Sequence, residues 1–450
     1  MIKDMKKNKS RASLKSRNKQ QLGSKEAVLP SYDTPYIQSK EASKIVDALS
    51  LFLSLPEYPK FFWHNPNQNL SFVVSGARER IDGKTLLDLQ AYMKHFPYDM
   101  PFFGGLAFNP DSNVETQWAS FGSSCFFLPK LCYQVLGSKA SISYLAKDKE
   151  ELKELKAVFD ESIKHQNHLN KQRLQKPLGS FVGFTNTLSE SLEMIESAKK
   201  RFCQGNLQKL VLSRVAQFDI KATLEQLLFS VFMKKNGNAF CFQPSESELF
   251  FGQSPEELLS WDETHFTTAA IAGTIKRGAS LQEEGVLKDR FLNSKKDVLE
   301  HKLVADYIEA IAQKYAKGSL EKYESILNLW YISHFKKEFK GLFKKPNSWG
   351  LLANELHPTP ALSGFPKKEA LDALLALESN SRGWYGGVLG FCHPHYGQLQ
   401  VAIRSALLSG NQLRAYVGAG IMPDSIAKDE VDEMCLKLSW LLDALDVSGL

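Results

Sequence analysis

The chain has 450 residues, 43% of them hydrophobic and 24% charged, a soluble globular composition with room for one large domain or two to three ordinary ones. These proportions exclude a collagen, a mainly disordered chain and a disulfide-dense secreted scaffold, and no window approaches the roughly 18 uninterrupted apolar residues of a membrane span. The formal net charge is +6, but residues 1–25 hold nine basic residues against one acid, so the rest of the chain is slightly acidic and the basic balance does not argue for nucleic-acid binding.

Residues 1–28 have no hydrophobic period and are expected to form a disordered basic tail. They lack the apolar core of a secretory signal, although their scarcity of acids leaves a transit peptide open. Residues 29–450 are expected to form one large domain, with a sheet-rich half over 29–175 and a half over 176–450 that carries the chemistry. Helical spacing begins near Glu41, with Ile45 and Leu49. Strand-like runs follow at 70–75, 104–108, 124–128 and 141–145, punctuated by Gly and Pro, which reads as antiparallel sheet. A surface helix is expected over 148–159, and 166–176 is the most loop-like interior stretch.

In the second half, 189–202 reads as a helix with Ser189 as N-cap and Gly205 as its stop. Strands are expected at 210–218, 239–242 and 249–252, and a helix at 224–234. One long helix is expected over 285–316, with apolar recurrence at Leu292, Leu299, Leu303, Tyr307 and Ile311. A helix over 370–377, a hairpin of 399–408 with 412–416, and a closing helix over 427–443 complete the reading. The six cysteines (Cys125, Cys132, Cys203, Cys241, Cys392, Cys435) form no CxxC pair or zinc pattern, which fits a reducing, cytoplasmic setting.

Several polar groups stand in apolar surroundings. Glu430, Glu433 and Lys437 fall on one helix face, after two close glycines, Gly418 and Gly420, whose exposed amides suit an anion. Read alone, that face is what an ordinary solvated helix presents. Glu300 shares a face with Lys296, Val304 and Ile308, and with Glu433 it could offer Mg²⁺ the oxygen ligands it takes. The alternative is surface charge. Lys209 opens an apolar strand run, where burial would disfavour the cation and suit a base. Glu256 lies in a turn, where burial would raise its pKa and suit an acid. Two surface side chains fit the same pattern. Arg404 lies in an apolar strand run and needs an anion there, matched in geometry by a carboxylate, and Tyr385 could add a hydrogen bond. His357 is either a core histidine or a donor to substrate.

In combination these stretches resemble the chorismate-utilising enzymes: isochorismate synthase, salicylate synthase, anthranilate synthase component I and aminodeoxychorismate synthase. The matching segments, in family order, are KLVLSR (209–214), GQSPEEL (252–258), AGTIKRG (272–278), KKDVLEH (295–301), LHPTPALSG (356–364), RGWYGG (382–387), VAIRSA (401–406), and GAGI (418–421) with EVDEMCLK (430–437). A fainter match runs through FFGGLAF (102–108), Trp118 and FLP (127–129).

The resemblance implies an α+β fold of two stacked antiparallel β-sheets, surrounded by helices, with a central cleft. It implies chorismate as substrate and Mg²⁺ as cofactor, held by Glu300 and Glu433 with Glu430 in support. Tyr385 and Arg404 would take the enolpyruvyl carboxylate. Gly273, Thr274, Gly418, Gly420 and Lys437 would fix the carboxylates, and His357 would lie near the ring. Lys209 resembles the members whose nucleophile is water, with Glu256 as acid. Ala272 stands where aminodeoxychorismate synthases carry a lysine. LHPTPALSG is closest to the isochorismate synthase form, with Ser363 in place of a glycine. The implied reaction is isomerisation of chorismate to isochorismate. Salicylate synthase is the alternative, then anthranilate synthase component I. No nucleic-acid or membrane partner is expected, and assembly as a monomer or weak dimer is.

Overall fold

The computed structural model describes residues 36–42, 45–94, 99–169, 176–205, 207–233 and 237–448. The expected basic tail of residues 1–28 lies outside the described residues, as does 170–175 of the expected loop.

The strands form two arms that share Ser124–Leu136. Its residues 131–136 pair with Lys139–Ala146, and most of its length pairs with Leu70–Asp82. From Leu70–Asp82 the first arm runs through Lys60–Asn65, Asn238–Gln243, Glu248–Ser254, Ser405–Ser409 and Gln412–Ile421 to Lys209–Lys221 and Leu178–Phe184. The second arm leaves the start of Ser124–Leu136 through Phe102–Leu106, then Val388–Cys392, Gly397–Val401, Glu257–Trp261, His265–Lys276, Ile332–Leu342 and Glu321–Asn328. These pairings are antiparallel, whereas Asp446–Ser448 runs parallel to Leu178–Phe184. Strands before residue 175 form one contiguous block, and strands after it continue the ladder on both arms, joining at Lys60–Asn65 and at Phe102–Leu106.

The arms stack through aromatic side chains on their facing sides. Phe391 of the second arm meets Phe72 at 4.8 Å and Trp63 at 5.9 Å between ring centroids, both from the first. Phe103 reaches Phe61 at 5.8 Å. Trp384, fully buried, stacks on Phe242 at 5.2 Å and donates its indole N–H to the Gly122 carbonyl. Burying such rings contributes to the apolar driving force, about 25 cal/mol per Å² removed from water. Trp384 also anchors the 382–387 turn. Gly383 has φ +53 there, and a Cβ on it would stand 2.1 Å from the Trp118 indole.

Several expectations about elements need correction. The long helix is two, Leu281–Leu292 and Lys295–Tyr315, because Ser294 caps the second by accepting from the Asp297 amide. Leu292 and Leu299 are consequently exposed, and the buried line is Glu300, Val304, Ala305, Ile308, Ile311 and Ala312. The N-cap near 189 is Thr187, in a capping box with Glu190, and the helix Leu188–Gln204 already includes Ser189. The closing helix ends at Leu436, with a short turn of helix at Ser439–Leu442. The strand pair Glu321–Asn328 and Ile332–Leu342 was not expected. The loop expected from 166 begins later, because Lys149–Leu169 is helical.

Candidate active site

A cleft with about 740 Å³ of empty space opens where the two arms and the helices Lys295–Tyr315 and Ala427–Leu436 meet. Ten of the residues singled out from the sequence line it: Lys209, Glu256, Gly273, Thr274, Glu300, Tyr385, Arg404, Gly418, Gly420 and Lys437.

Lys209 is the first residue of Lys209–Lys221 and is 1% exposed. Its ammonium lies 2.8 Å from Glu300 Oε1, on the buried face of the facing helix. The contact needs glycine on the neighbouring strand. A Cβ on Gly420 would stand 2.4 Å from Glu300 Oε1 and 2.9 Å from Lys209 Cε. Gly418 likewise leaves room for the Tyr385 hydroxyl, 2.9 Å from where its Cβ would be. Both glycines belong to the paired strand Gln412–Ile421. Their use is close approach rather than conformational freedom.

Glu256 lies between Glu248–Ser254 and Glu257–Trp261, where the chain passes from one arm to the other. It is buried, and burial pushes its carboxyl up to about 8 despite the nearby charges of Lys209, Arg404 and Lys437. The group therefore holds its proton at neutral pH.

Arg404 does not sit in a strand, as its apolar neighbours suggested. It lies between Gly397–Val401 and Ser405–Ser409 with φ +50. Among the described residues it has no carboxylate within 4 Å. One Nη donates to His334 Nε2 at 3.1 Å, and His334 Nδ1 lies 2.8 Å from the Gly273 carbonyl. A carbonyl only accepts and a guanidinium only donates, so His334 carries its proton on Nδ1. Burial and the Arg404 charge hold it neutral, its pKa lowered to about 3. Gly273, at φ +72, stands in a register shift of His265–Lys276 that turns its carbonyl toward this histidine. Arg404 itself is lowered to about 10 by burial, and so remains a cation. Tyr385 stacks on Tyr416 at 5.3 Å, and burial raises its phenol to about 12.

Arg382 also lines the cleft, but its charge is committed. It pairs with Glu378 through two nitrogens, at 2.6 and 2.8 Å, and donates to the Leu362 and Val211 carbonyls. Sequence reasoning missed His334 because the strand carrying it went unrecognised. That strand's apolar residues, Ile332, Phe335, Phe339 and Leu342, fall at intervals of three and four and give no period-two signal. It assigned Arg382 no role of its own.

Glu433 and Glu430 stand beside the cleft on Ala427–Leu436. Glu433 Oε1 is 2.7 Å from Lys437, whose ammonium also donates to the Gly418 carbonyl at 2.9 Å. Burial pushes Glu433 up, but the Lys437 charge prevails and leaves it below the usual range. Glu430 is 1% exposed and pairs with Lys296, while its Oε2 has no hydrogen-bond partner. Burial and then the Glu433 charge raise its pKa. The all-carboxylate set and the orphaned oxygen fit a hard divalent cation such as Mg²⁺. In the present conformation each carboxylate holds a lysine instead, and among the described residues no three acidic, His or Cys side chains converge as a cage.

His357 is not part of the cleft lining. It packs edge-on to Phe108, its centroid 6.4 Å away, and both ring nitrogens lack hydrogen-bond partners. Burial lowers its pKa to about 3.

The sequence matches the chorismate binding enzyme family over residues 31–446. It is 27% identical to isochorismate synthase MenF of Bacillus subtilis, across 86% of this chain and 88% of that one. It is 28% identical to the salicylate biosynthesis isochorismate synthase of Pseudomonas aeruginosa, across 77% of this chain and 74% of the relative. Among solved structures, the menaquinone-specific isochorismate synthase MenF of Escherichia coli superposes with a TM-score of 0.76 at 24% identity, covering 92% of this chain and 95% of that one. Anthranilate synthase component I of Streptococcus pneumoniae superposes at 0.64 and 17% identity, covering 93% and 94%. The chain belongs to the chorismate binding enzyme family, and the fold expected from its motifs is the one it has.

Proposed function

We propose, with membership of the chorismate binding enzyme family as the premise, that this chain is an isochorismate synthase converting chorismate reversibly to isochorismate. The observation that carries the reading is one cleft holding a buried lysine, Lys209, and a buried carboxylic acid, Glu256, raised to about 8 and so protonated near neutrality.

Lys209, as the free amine, takes a proton from water, and the water oxygen bonds to ring C2. The ring double bonds shift, the C4–O bond breaks, and Glu256 gives its proton to the departing hydroxyl. One water enters and one leaves, so the formula is unchanged and no redox cofactor is needed. Arg404, with no carboxylate partner of its own, takes the enolpyruvyl carboxylate together with the Tyr385 hydroxyl. Gly273, Thr274, Gly418, Gly420 and Lys437 form the walls that fix the carboxylates. His357 supports the ring from outside the present lining. Glu300 and Glu433, with Glu430 in support, would hold Mg²⁺, which would supply positive charge against the ring carboxylate. The protein's own contribution is position and electrostatics in a desolvated cleft.

The relatives named MenF in Bacillus subtilis and Haemophilus influenzae align over 86% and 88% of this chain, whereas the vibriobactin-specific relative of Vibrio cholerae aligns over 55%. That extent of match supports a menaquinone branch. Among the described residues no helix is long and apolar enough to cross a membrane, and a cytoplasmic monomer or weak dimer is the proposed form. The test is incubation with chorismate, with and without Mg²⁺, followed by chromatography. Isochorismate without salicylate or pyruvate supports the reading. Salicylate with pyruvate, or anthranilate that depends on ammonium, overturns it.

A further inference from the structure

The carboxylates assigned to the metal are already neutralised one by one. Glu300 pairs with Lys209, Glu433 with Lys437, and Glu430 with Lys296. Lys209 and Lys437 line the cleft and have proposed roles toward substrate, but Lys296 does not line it. Lys296 lies four residues before Glu300 on Lys295–Tyr315, so the two share a helix face, and Lys296 reaches Glu430 of Ala427–Leu436. Its ammonium is the charge that Glu430, Glu433 and Glu300 all sense. Its own side chain is 31% exposed, so it has a path to water that buried Glu430 lacks.

We infer that Lys296 is a resident counter-cation: it holds the acidic cluster together while no metal is bound, and must swing out to solvent for a divalent cation to enter. The inference rests on the Mg²⁺ reading given above. Two independent observations carry it. Glu430 is buried with Oε2 lacking a hydrogen-bond partner, and Lys296 is the most exposed of the three lysines, at 31% against 1% for Lys209 and 15% for Lys437. A buried carboxylate left without a cation is costly, so a protein that must fold before metal arrives needs a stand-in. A stand-in also competes with the metal, and sets its affinity below what the carboxylates alone would give.

The experiment is binding of Mn²⁺ alone, without chorismate, followed by electron paramagnetic resonance of the free ion. It compares wild type, Lys296→Met, Lys296→Arg and Lys302→Met. Lys302 pairs with Asp306 at the surface of the same helix and controls for net charge. Lys296→Met should bind Mn²⁺ at least about fivefold more tightly than wild type. Lys296→Arg and Lys302→Met should bind no more tightly. Without metal, Lys296→Met should unfold several degrees lower, and Mg²⁺ should restore it. If Lys296→Met binds Mn²⁺ no better than wild type, or if Mg²⁺ fails to restore its stability, Lys296 is only a structural partner of Glu430 and the inference is overturned. If no variant and not even wild type binds Mn²⁺, the metal reading itself falls, and this inference with it.

Discussion

Lys209 Nζ lies 2.8 Å from Glu300 Oε1, so the proposed base and a proposed metal ligand are each other's partner. The two roles exclude one another until Glu300 is engaged elsewhere. Lys209→Met should lower kcat by about a hundred- to ten-thousand-fold, the usual worth of a positioned base. The measurement is isochorismate formation at saturating Mg²⁺. Retention of more than a tenth of wild-type kcat would remove Lys209 from the chemistry.

Glu256 gives a pH prediction with a definite sign. Its pKa is raised to about 8 in the folded protein, so turnover that needs its proton should fall as pH rises through about 8. Stability follows the same group. Between the ordinary carboxylate range and about 8 the folded state binds a proton that the unfolded chain does not, so its contribution to stability is present at low pH and is lost as pH rises. Glu256→Gln removes that dependence. The variant should be nearly inactive, yet unfold at a higher temperature than wild type at pH 9. Thermal unfolding across pH 6–9 tests this, and parallel curves for the two proteins would contradict it.

These two residues mark how far the sequence was legible. Lys209 and Glu256 lie 47 positions apart in the chain, and nothing in their local spacing says that they share a cleft. Only the ordered set of motifs did. Helix and strand positions were readable from periodicity where one face is buried, as at Glu300, Val304 and Ile308. They failed at Leu292 and Leu299, where an apolar residue is exposed, because periodicity reports composition and not burial. His334 was missed because the apolar residues of its strand, Ile332, Phe335, Phe339 and Leu342, are spaced by three and four and do not show the period of two that marks a strand. The glycines at 418 and 420 were located but misread. Spacing says where glycine stands, and only the neighbouring Glu300 and Tyr385 atoms say why.

That correction can be tested at Gly420. An added methyl would stand 2.4 Å from Glu300 Oε1, too close for any side chain to tolerate unmoved. Gly420→Ala should push both Glu300 and Lys209 off their present positions and cost about a hundredfold in kcat/KM, the scale of a misplacement near 1 Å. Stability should fall by about 1–3 kcal/mol, as for overpacking elsewhere. A variant with wild-type kinetics would show that the room Gly420 leaves for Glu300 and Lys209 is not used.

Arg404 is the cation of the cleft with no carboxylate partner among the described residues, and its substitution should therefore register in substrate affinity. Arg404→Ala should raise KM for chorismate by roughly ten- to a hundredfold, the worth of about 1.5–3 kcal/mol for a charged hydrogen bond. Arg404→Lys should recover little, because an ammonium cannot reproduce a bidentate contact. Steady-state kinetics separate the two variants, and full rescue by lysine would mean that charge alone is required.

His334 should act through Arg404 rather than on substrate. Its Nδ1–H is held by the Gly273 carbonyl, which presents Nε2 to the guanidinium at 3.1 Å. With its pKa lowered to about 3, the ring stays neutral through the working range, so it should contribute no limb to the pH profile of kcat above pH 5. His334→Leu leaves both the carbonyl and the guanidinium without this partner, and Arg404 then loses its fixed aim. KM should rise at least about tenfold, since two buried polar groups each lose a partner, while the pH profile keeps its shape. In the double variant with Arg404→Ala, the histidine change should add almost nothing, because its effect passes through a residue already removed. Additive losses would instead place His334 in direct contact with the reacting ring.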